Sequence, residues 1–431
     1  MLSNRLAAFL AARNIHYGWV VAGVTFLTML SAAGAVGAPG VLLLPLQREF
    51  GWSTSEISAA MAVRLLLFGL MGPFAAALLN RFGLRRIVLC SLGLVSAGLL
   101  ASLAMTEVWQ LILTWGVVVG FGTGMTALVL GATVATRWFS HRRGLVVGLL
   151  TASSATGQLI FMPALAVLSE LYGWRIALIL LCMMLGVAAL MVLALMRDRP
   201  SDLGLSPYGD TSPPSAAASP PRSVTIAAFD ALRFAAKSRV FWILFATFFI
   251  CGASTNGLIQ THLIPLCADF GVPEVQAAGM LALIGAFDFI GTVGSGWLSD
   301  RYDNRWLLAW YYGLRGLSLL YLPFSDFTFY GLSVFAVFYG LDWVATVPPT
   351  VKLTAEHFGR ERANLVFGWI FAGHQIGAAA AAFGAGLSRT MLANYLPAFF
   401  IAGALCLIAA ALLVTLRRQG PETALASVPA Q

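Results

Sequence analysis

Read only for apolar and polar positions, the chain is a succession of long apolar runs joined by short polar stretches, with one long polar interruption near its middle. Runs long enough to cross a bilayer, at about 20 residues each, cover 17–44, 54–79, 87–105, 108–136, 144–169, 175–196, 240–268, 275–299, 306–324, 328–354, 364–388 and 396–416. The pattern predicts twelve membrane-spanning helices in an all-α membrane protein. The interruption, 197–239, carries Asp198, Asp202, Asp210, Asp230 and six Lys or Arg residues. Its two flanks match at a fixed offset of 220 residues: Gly37 with Gly257, Pro45 with Pro265, Phe50-Gly51 with Phe270-Gly271, Arg81 with Arg301, Arg85 with Arg305, Arg142 with Arg362, Gly148 with Gly368 and Gly157 with Gly377. A single register of this kind predicts a duplicated six-helix unit, a known plan for secondary transporters. The expected domains are therefore a bundle over 1–196, a linker over 197–239, a second bundle over 240–418 and a tail over 419–431.

Composition supports the membrane reading, because 59% of the residues are hydrophobic against roughly 45–50% in soluble domains. The net charge of +8 does not point to nucleic acid, since the basic residues recur singly or in pairs between apolar runs. Counted by side, 21 of the 26 Lys and Arg residues fall with the linker and the two termini. Only Arg48, Arg175 and Arg389 fall opposite, and Arg64 and Arg315 lie inside runs. That asymmetry places both termini in the cytoplasm. The small-residue run from Ser31 to Ala38 could imitate a signal-peptidase site, but its span is too long for a signal segment and has a counterpart in the second half, so it is expected to stay. The five cysteines lie in apolar runs without C-x-x-C spacing and read as buried apolar residues. The two lysines, Lys237 and Lys352, follow Ala236 and Val351 rather than glycine, which excludes a P-loop. No cofactor, clustered metal ligands or nucleophile elbow is expected, so the chain does not read as an enzyme; any transport energy must come from a gradient.

Tyr17-Gly18-Trp19 opens the first run with rings suited to the membrane interface. Small residues fill Gly34 to Gly40, favouring close helix packing, and Pro39 should bend or loosen the helix. Ser53 to Glu56 has the spacing of a capping box at the start of the second span. The following hairpin reads Ala76-Ala-Leu-Leu-Asn80-Arg81-Phe82-Gly83-Leu84-Arg85-Arg86, and its counterpart reads Gly296-Trp-Leu-Ser-Asp300-Arg301-Tyr302-Asp303-Asn304-Arg305. The pair resembles the loop signature of the major facilitator superfamily, Gly, three residues, Asp-Arg, one residue, Gly-Arg-Arg, between the second and third and again between the eighth and ninth helices. The first copy departs at Ala76 and Asn80 and the second at Asp303. The resemblance implies two pseudo-symmetric six-helix bundles and a cytoplasmic latch of charge pairs that includes Arg81, Arg85, Asp300, Arg301 and Arg305; with Asn80 in place of Asp, the first latch lacks its acid. Trp138-Phe139-Ser140-His141-Arg142-Arg143-Gly144, with Tyr17-Gly18-Trp19, resembles the monocarboxylate porter and oxalate/formate antiporter branch.

An ionisable residue at the bilayer centre is costly and is a functional candidate by default. Arg64, Asp288, Arg315, Asp342 and His374 hold such positions, with His262 nearer the outer surface. Counting from the hairpin bend at ~1.5 Å per residue puts Asp288 and Arg315 at one level on consecutive antiparallel helices, which predicts a salt bridge between them. Asp342 falls close to the same level. Two carboxylates sharing one arginine leave one acid poorly compensated, and that acid, Asp342 or Asp288, is the candidate to carry a proton, with an ion pair that only locks the helices together as the alternative. The superfamily resemblance implies that the first, fourth, seventh and tenth helices line the cavity, so Asp342 should face it. The monocarboxylate branch carries an Asp and, one turn later, an Arg on the eighth helix; here Asp288 fits the first position and Thr292 occupies the second. Its oxalate/formate members place a lysine on the eleventh helix, where this chain has His374. Arg64, without an acid at its level in the first half, is the substitute cation for an anionic solute, with Asp288 across the interface as its alternative partner. Asn256, Gln260 and His262 add polar groups on the seventh helix, and Gln158 and Gln375 further donors. Gly340, Pro348 and Pro349 suggest a bend or hinge in the tenth.

The expectation is a secondary active transporter of a small organic solute, a carboxylate first, moved by proton symport or exchange in a bacterial inner membrane, with lipid, protons and the solute as its partners and a monomer as its state. Efflux of hydrophobic compounds by the same fold is the alternative, and a non-transporting membrane sensor or scaffold is the alternative of another class. One outcome follows from the charge count alone. Protease added to inside-out vesicles should cut within 197–239, and protease added to intact spheroplasts should not; cutting from the spheroplast side would reverse the orientation.

Overall fold

The computed structural model describes residues 2–126, 128–210, 224–299 and 301–416. In chain order its membrane helices are Gly18–Phe50, Thr54–Phe82, Leu84–Ser102, a fourth beginning at Val108 and ending with Leu128–Trp138, Arg143–Tyr172, Trp174–Leu195, a seventh beginning with Arg239–Gly252 and ending with Gln260–Asp269, Glu274–Ser299, Asn304–Tyr321, a tenth made of Phe329–Asp342 and Val347–Phe358, Arg360–Leu392 and Leu396–Val414. This is the twelve-helix architecture that the apolar runs predict. Ten stretches among the described residues are long and apolar enough to cross a membrane. The expected capping box starts the second span: the Ser53 hydroxyl accepts the Glu56 N–H, and the Glu56 carboxylate accepts the Ser53 N–H at 2.7 Å. Two proline readings separate. Pro39 and Pro45 sit inside an unbroken helix that runs to Phe50, whereas Pro348 and Pro349 open a new helix after a break.

The halves meet along two seams, the second span against the eleventh and the fifth against the eighth, and the first span also touches the seventh. Lipid cannot drive apolar helices together, so the contacts depend on close backbone approach at small residues. A Cβ added at Gly40 of the first span would lie 2.2 Å from the Gln260 carbonyl oxygen of the seventh. Within the second half, a Cβ at Gly291 of the eighth span would lie 1.9 Å from the Leu341 carbonyl oxygen of the tenth.

The linker is more ordered than its composition suggests. Its start folds back on the first half: His16 Nε2 lies 3.0 Å from the Ser206 carbonyl oxygen, and the Tyr208 N–H donates to the Trp138 carbonyl at 2.8 Å. Its end forms a helix, Val224–Ala235, that receives the Trp369 indole N–H at the Ala228 carbonyl (2.9 Å) and sets the Phe229 ring between Phe74 and Trp369. Ring contacts and one indole hydrogen bond thus hold a segment that charge alone would leave in water. Residues 211–223, and the tail expected over 419–431, lie outside the described residues.

The fourth and tenth spans share an unexpected feature. The fourth is interrupted at Thr126 and the tenth over Trp343 to Thr346, and Thr126 and Thr346 are 220 residues apart. The duplication therefore reproduces an interruption of the helix as well as the spans. In the first half a neutral contact covers it: the Ser91 hydroxyl of the third span donates to the Gly122 carbonyl at 2.6 Å and lies 3.1 Å from Thr126 Oγ1, while Val95 packs on Gly122. The positions equivalent to Val95 and Gly122 in the second half are Arg315 and Asp342.

The backbone approach at Gly291 gives a test of the packing. Gly291→Val should lower the stability of the detergent-solubilised protein by about 1–3 kcal/mol, read as a fall in its melting midpoint. Gly294→Ala, at a position with no heavy atom within 4 Å of the added Cβ, should leave the midpoint unchanged.

Candidate functional site

Inside a membrane no water pairs with a freed N–H or C=O, so a broken helix survives only where protein groups replace the missing bonds. The tenth span breaks because two consecutive prolines, Pro348 and Pro349, cannot donate to the preceding turn. The neighbouring helices supply the replacements. Arg315 of the ninth span donates through Nη2 to the carbonyl oxygens of Asp342 (2.5 Å) and Trp343 (3.0 Å), and through Nε to the Asp342 carboxylate at 2.9 Å. Asp288 of the eighth accepts the Val344 N–H at 2.9 Å and the Thr292 hydroxyl at 2.8 Å. Ser295 of the same helix donates to the Ala345 carbonyl at 2.5 Å. Four successive residues, Asp342 to Ala345, are thereby held by side chains from two other helices.

The expected Asp288–Arg315 salt bridge is not formed; the carboxylate on Arg315 is that of Asp342. Counting residues gives a depth in the membrane but not a direction around the helix. At the shared level Arg315 turns to the tenth span's open carbonyls, and Asp288 is taken by an open N–H. Arg315 and Asp342 are 0% and 4% exposed in their side chains, so the pair is a dry one. Its charge distribution is uneven: Asp342 Oδ2 has the guanidinium, and Oδ1 is buried with no hydrogen-bond partner.

The cluster also contains a residue that the sequence reading assigned to apolar packing. Cys251, in the seventh span, places its sulfur 2.8 Å from Arg315 Nη1 and 3.4 Å from Thr346 Oγ1, and it interacts with the imidazole of His374. His374, on the eleventh span, is buried between Phe248 and Phe371, and its Nδ1 has no partner. Its backbone sits so close that a Cβ at Gly252 would lie 1.7 Å from the His374 carbonyl oxygen. Glycine next to Cys251 is what lets the eleventh span reach the cluster. A depth count would have found Cys251, because it stands as far into its span as Arg315 does into its own.

The other candidates lie elsewhere. Arg64 is buried, with 3% of its surface exposed, and makes no hydrogen bond or ion pair among the described residues; its Nε is fully enclosed. Asp288, the acid that could have reached it, is engaged in the second half. His262 spans from the seventh to the eleventh helix, with Nε2 2.8 Å from the Ala382 carbonyl oxygen and its ring against Tyr395. That makes it a helix tie. Asn256 is half-exposed in a π-helical stretch, Ala253–Ile259, whose displaced carbonyl at Asn256 accepts the Thr261 hydroxyl at 2.8 Å. Gln260 is buried and approaches Gly37 of the first span. Gln375 Oε1 is buried without a partner, and the side chain of Gln158 lies outside the described residues.

The hairpin motif resolves into helix caps. Arg85 donates to the Leu193 carbonyl at 2.5 Å, near the end of the sixth span, and Arg305 to the Leu416 carbonyl at 2.5 Å, just past the end of the twelfth. Each arginine thus neutralises the negative end of a helix. The carboxylate that Gly83 cannot provide comes from the linker: Asp198 accepts the Arg85 N–H at 2.9 Å, as Asp303, 220 residues after Gly83, accepts the Arg305 N–H at 3.0 Å. Arg305 also pairs with Asp303 at 2.6 Å. Arg81 and Arg301 rest on the rings of Phe82 and Trp297, and neither has an ion pair among the described residues; Asp300 lies outside them. On the opposite face all three arginines are paired, Arg48 with Glu274, Arg175 with Glu49 and Arg389 with Asp269.

Comparison with known proteins agrees with this architecture. The family model of the Major Facilitator Superfamily matches residues 24–382 and 295–430. An uncharacterized MFS-type transporter of Bacillus subtilis (strain 168), YcxA, is 26% identical over 389 residues, covering 88% of this chain and 90% of that protein. Monocarboxylate transporter 13 of Rattus norvegicus is 27% identical over 408 residues, covering 93% and 89%. Monocarboxylate transporter 11 of Mus musculus is 30% identical over 315 residues, covering 70% and 64%. With twelve helices, a duplicated hairpin and a family match along nearly its whole length, the chain belongs to the Major Facilitator Superfamily and is a membrane transporter rather than an enzyme.

Proposed function

We propose that the protein carries a small carboxylate across a bacterial inner membrane by alternating access, coupled to protons, as a monomer with both termini and the linker in the cytoplasm. The observation that carries the coupling is the bare Oδ1 of Asp342, a carboxylate oxygen without a hydrogen-bond partner in a dry cluster. A buried acid with one oxygen unpartnered, whose guanidinium is shared with two carbonyl oxygens and a sulfur, has an oxygen open to a proton. The proton relaxes the hold on Arg315, and with it the hold on the tenth span's break. Since a broken helix at mid-membrane is a usual place for a transporter to bind its solute and to move, proton and solute can act on one element.

Arg64 supports a carboxylate as the solute. Arginine stays charged at any relevant pH, and a buried unpaired cation calls for a bound anion or water. The monocarboxylate transporters among the relatives fit the same class. The basic residues that gather on the linker side support the orientation.

Three outcomes test the reading in proteoliposomes, with counterflow of a labelled carboxylate found by thermal-shift screening as the probe. Asp342→Asn should abolish accumulation driven by a proton gradient and preserve counterflow; full accumulation would remove Asp342 from coupling. Arg64→Gln should leave the melting midpoint unchanged and raise the apparent KM at least tenfold, the equivalent of about 1.4 kcal/mol. A lowered midpoint, rescued by neutralising an acid, would make Arg64 a structural partner instead. Asp288→Ala strips the Val344 N–H of its acceptor, and a buried polar group left so costs about 1–3 kcal/mol. Folded yield should fall, and Asp288→Asn, which keeps an acceptor oxygen, should restore most of it.

A further inference from the structure

Of the five cysteines, Cys406 faces the Ser254 hydroxyl, and one, Cys251, lies against a cation. Cys182 faces the Ser96 carbonyl oxygen, and Cys90 is exposed on the third span. Cys251 alone accepts a hydrogen bond from a guanidinium, that of Arg315, and it has beside it an imidazole whose Nδ1 is unpartnered and whose residue is only 8% exposed. The remaining charged and titratable groups that face this sulfur are Asp342 and Tyr339 of the tenth span, Tyr312 of the ninth, Asp288 of the eighth and Cys406 of the twelfth. A thiol between a fixed cation and a base has the surroundings of a reactive cysteine, whereas thiols among apolar side chains are inert.

We propose that Cys251 is a modification site, a nucleophilic thiol activated by Arg315 and His374 through which small uncharged thiol-reactive electrophiles act on the transporter. With an alkyl thiosulfonate the atoms balance as follows. The His374 imidazole takes the thiol proton, the sulfur attacks the sulfenyl sulfur of the reagent, a disulfide bond forms, and the sulfinate leaves with the electron pair of the broken S–S bond. The reagent supplies the oxidising equivalent. The consequence follows from geometry: the added group occupies the space in which Arg315 Nη1 and Thr346 Oγ1 meet the sulfur, so modification displaces the guanidinium from the carbonyls of the tenth span's break. The assignment does not depend on which solute the protein carries.

Asp342 draws on the same guanidinium, which makes the assignment testable beyond simple labelling. In Asp342→Asn the guanidinium no longer balances a carboxylate and is left to the sulfur, so the thiol should react faster; in His374→Gln the base is gone, so it should react more slowly. The experiment is a time course of the full-length purified protein with methyl methanethiosulfonate, each cysteine followed by peptide mass spectrometry, and melting midpoints taken to confirm that each variant is folded. The expected result is that Cys251 is modified on the order of tenfold faster than Cys182 or Cys406, that Asp342→Asn raises and His374→Gln lowers its rate severalfold, and that modification lowers the melting midpoint of the parent but not of Cys251→Ser. A Cys251 rate equal to that of the other buried cysteines, or rates indifferent to both neighbouring substitutions in folded protein, would overturn the proposal.

Discussion

A backbone interrupted inside hydrocarbon must be paired by side chains, and the second half of this transporter is built around meeting that demand at one place. The prolines after Thr346 open the tenth span, and the polar groups of Asp342 to Ala345 then draw in Arg315, Asp288 and Ser295 from two neighbouring helices. The close approach at Gly291 and the glycine beside Cys251 serve the same purpose, letting the eighth and eleventh spans come near enough for their groups to reach. Charge is the unusual choice here. The first half meets its equivalent interruption with Ser91 and a valine against a glycine, so duplication alone does not require an ion pair.

That difference between the halves separates structural need from chemical capacity. A neutral clamp answers to nothing in the solvent. A clamp of Arg315 and Asp342 contains a group that a proton can neutralise, since a carboxylate can lose its charge and a guanidinium keeps it. On the proposed reading the helix break and the proton carrier are one cluster in the second half, while Arg64, the buried cation proposed for the carboxylate, belongs to the first. Proton and solute would then act from opposite sides of the seam across which the halves move.

Much of the fold was legible in the chain. Apolar length gave the spans, the offset of 220 gave the duplication, and the capping box at Ser53 was recognisable from four residues. The ionisable residues that the chain places inside its spans are buried in the structure, but their partners were not legible. Depth says nothing about which way a side chain turns, so the chain alone matches Arg315 to Asp288, whereas its carboxylate partner is Asp342. Asp198 is out of reach for a different reason: it takes the place of an acid at Gly83, the counterpart of Asp303, from more than a hundred residues away, a contact that no local motif encodes. Cys251 was read as apolar because cysteine usually is, and only its neighbours make it otherwise.

If Asp342, held by Arg315 at the break, gains and loses a proton within the membrane, its carboxyl group must occur in both forms. Infrared difference spectra of the reconstituted protein between acidic and alkaline buffer report the carbonyl stretch of a protonated buried carboxyl group directly. Such a band is expected in the parent and in Asp288→Asn, and its loss in Asp342→Asn. A band that persists unchanged in Asp342→Asn would rule out Asp342 as the proton carrier.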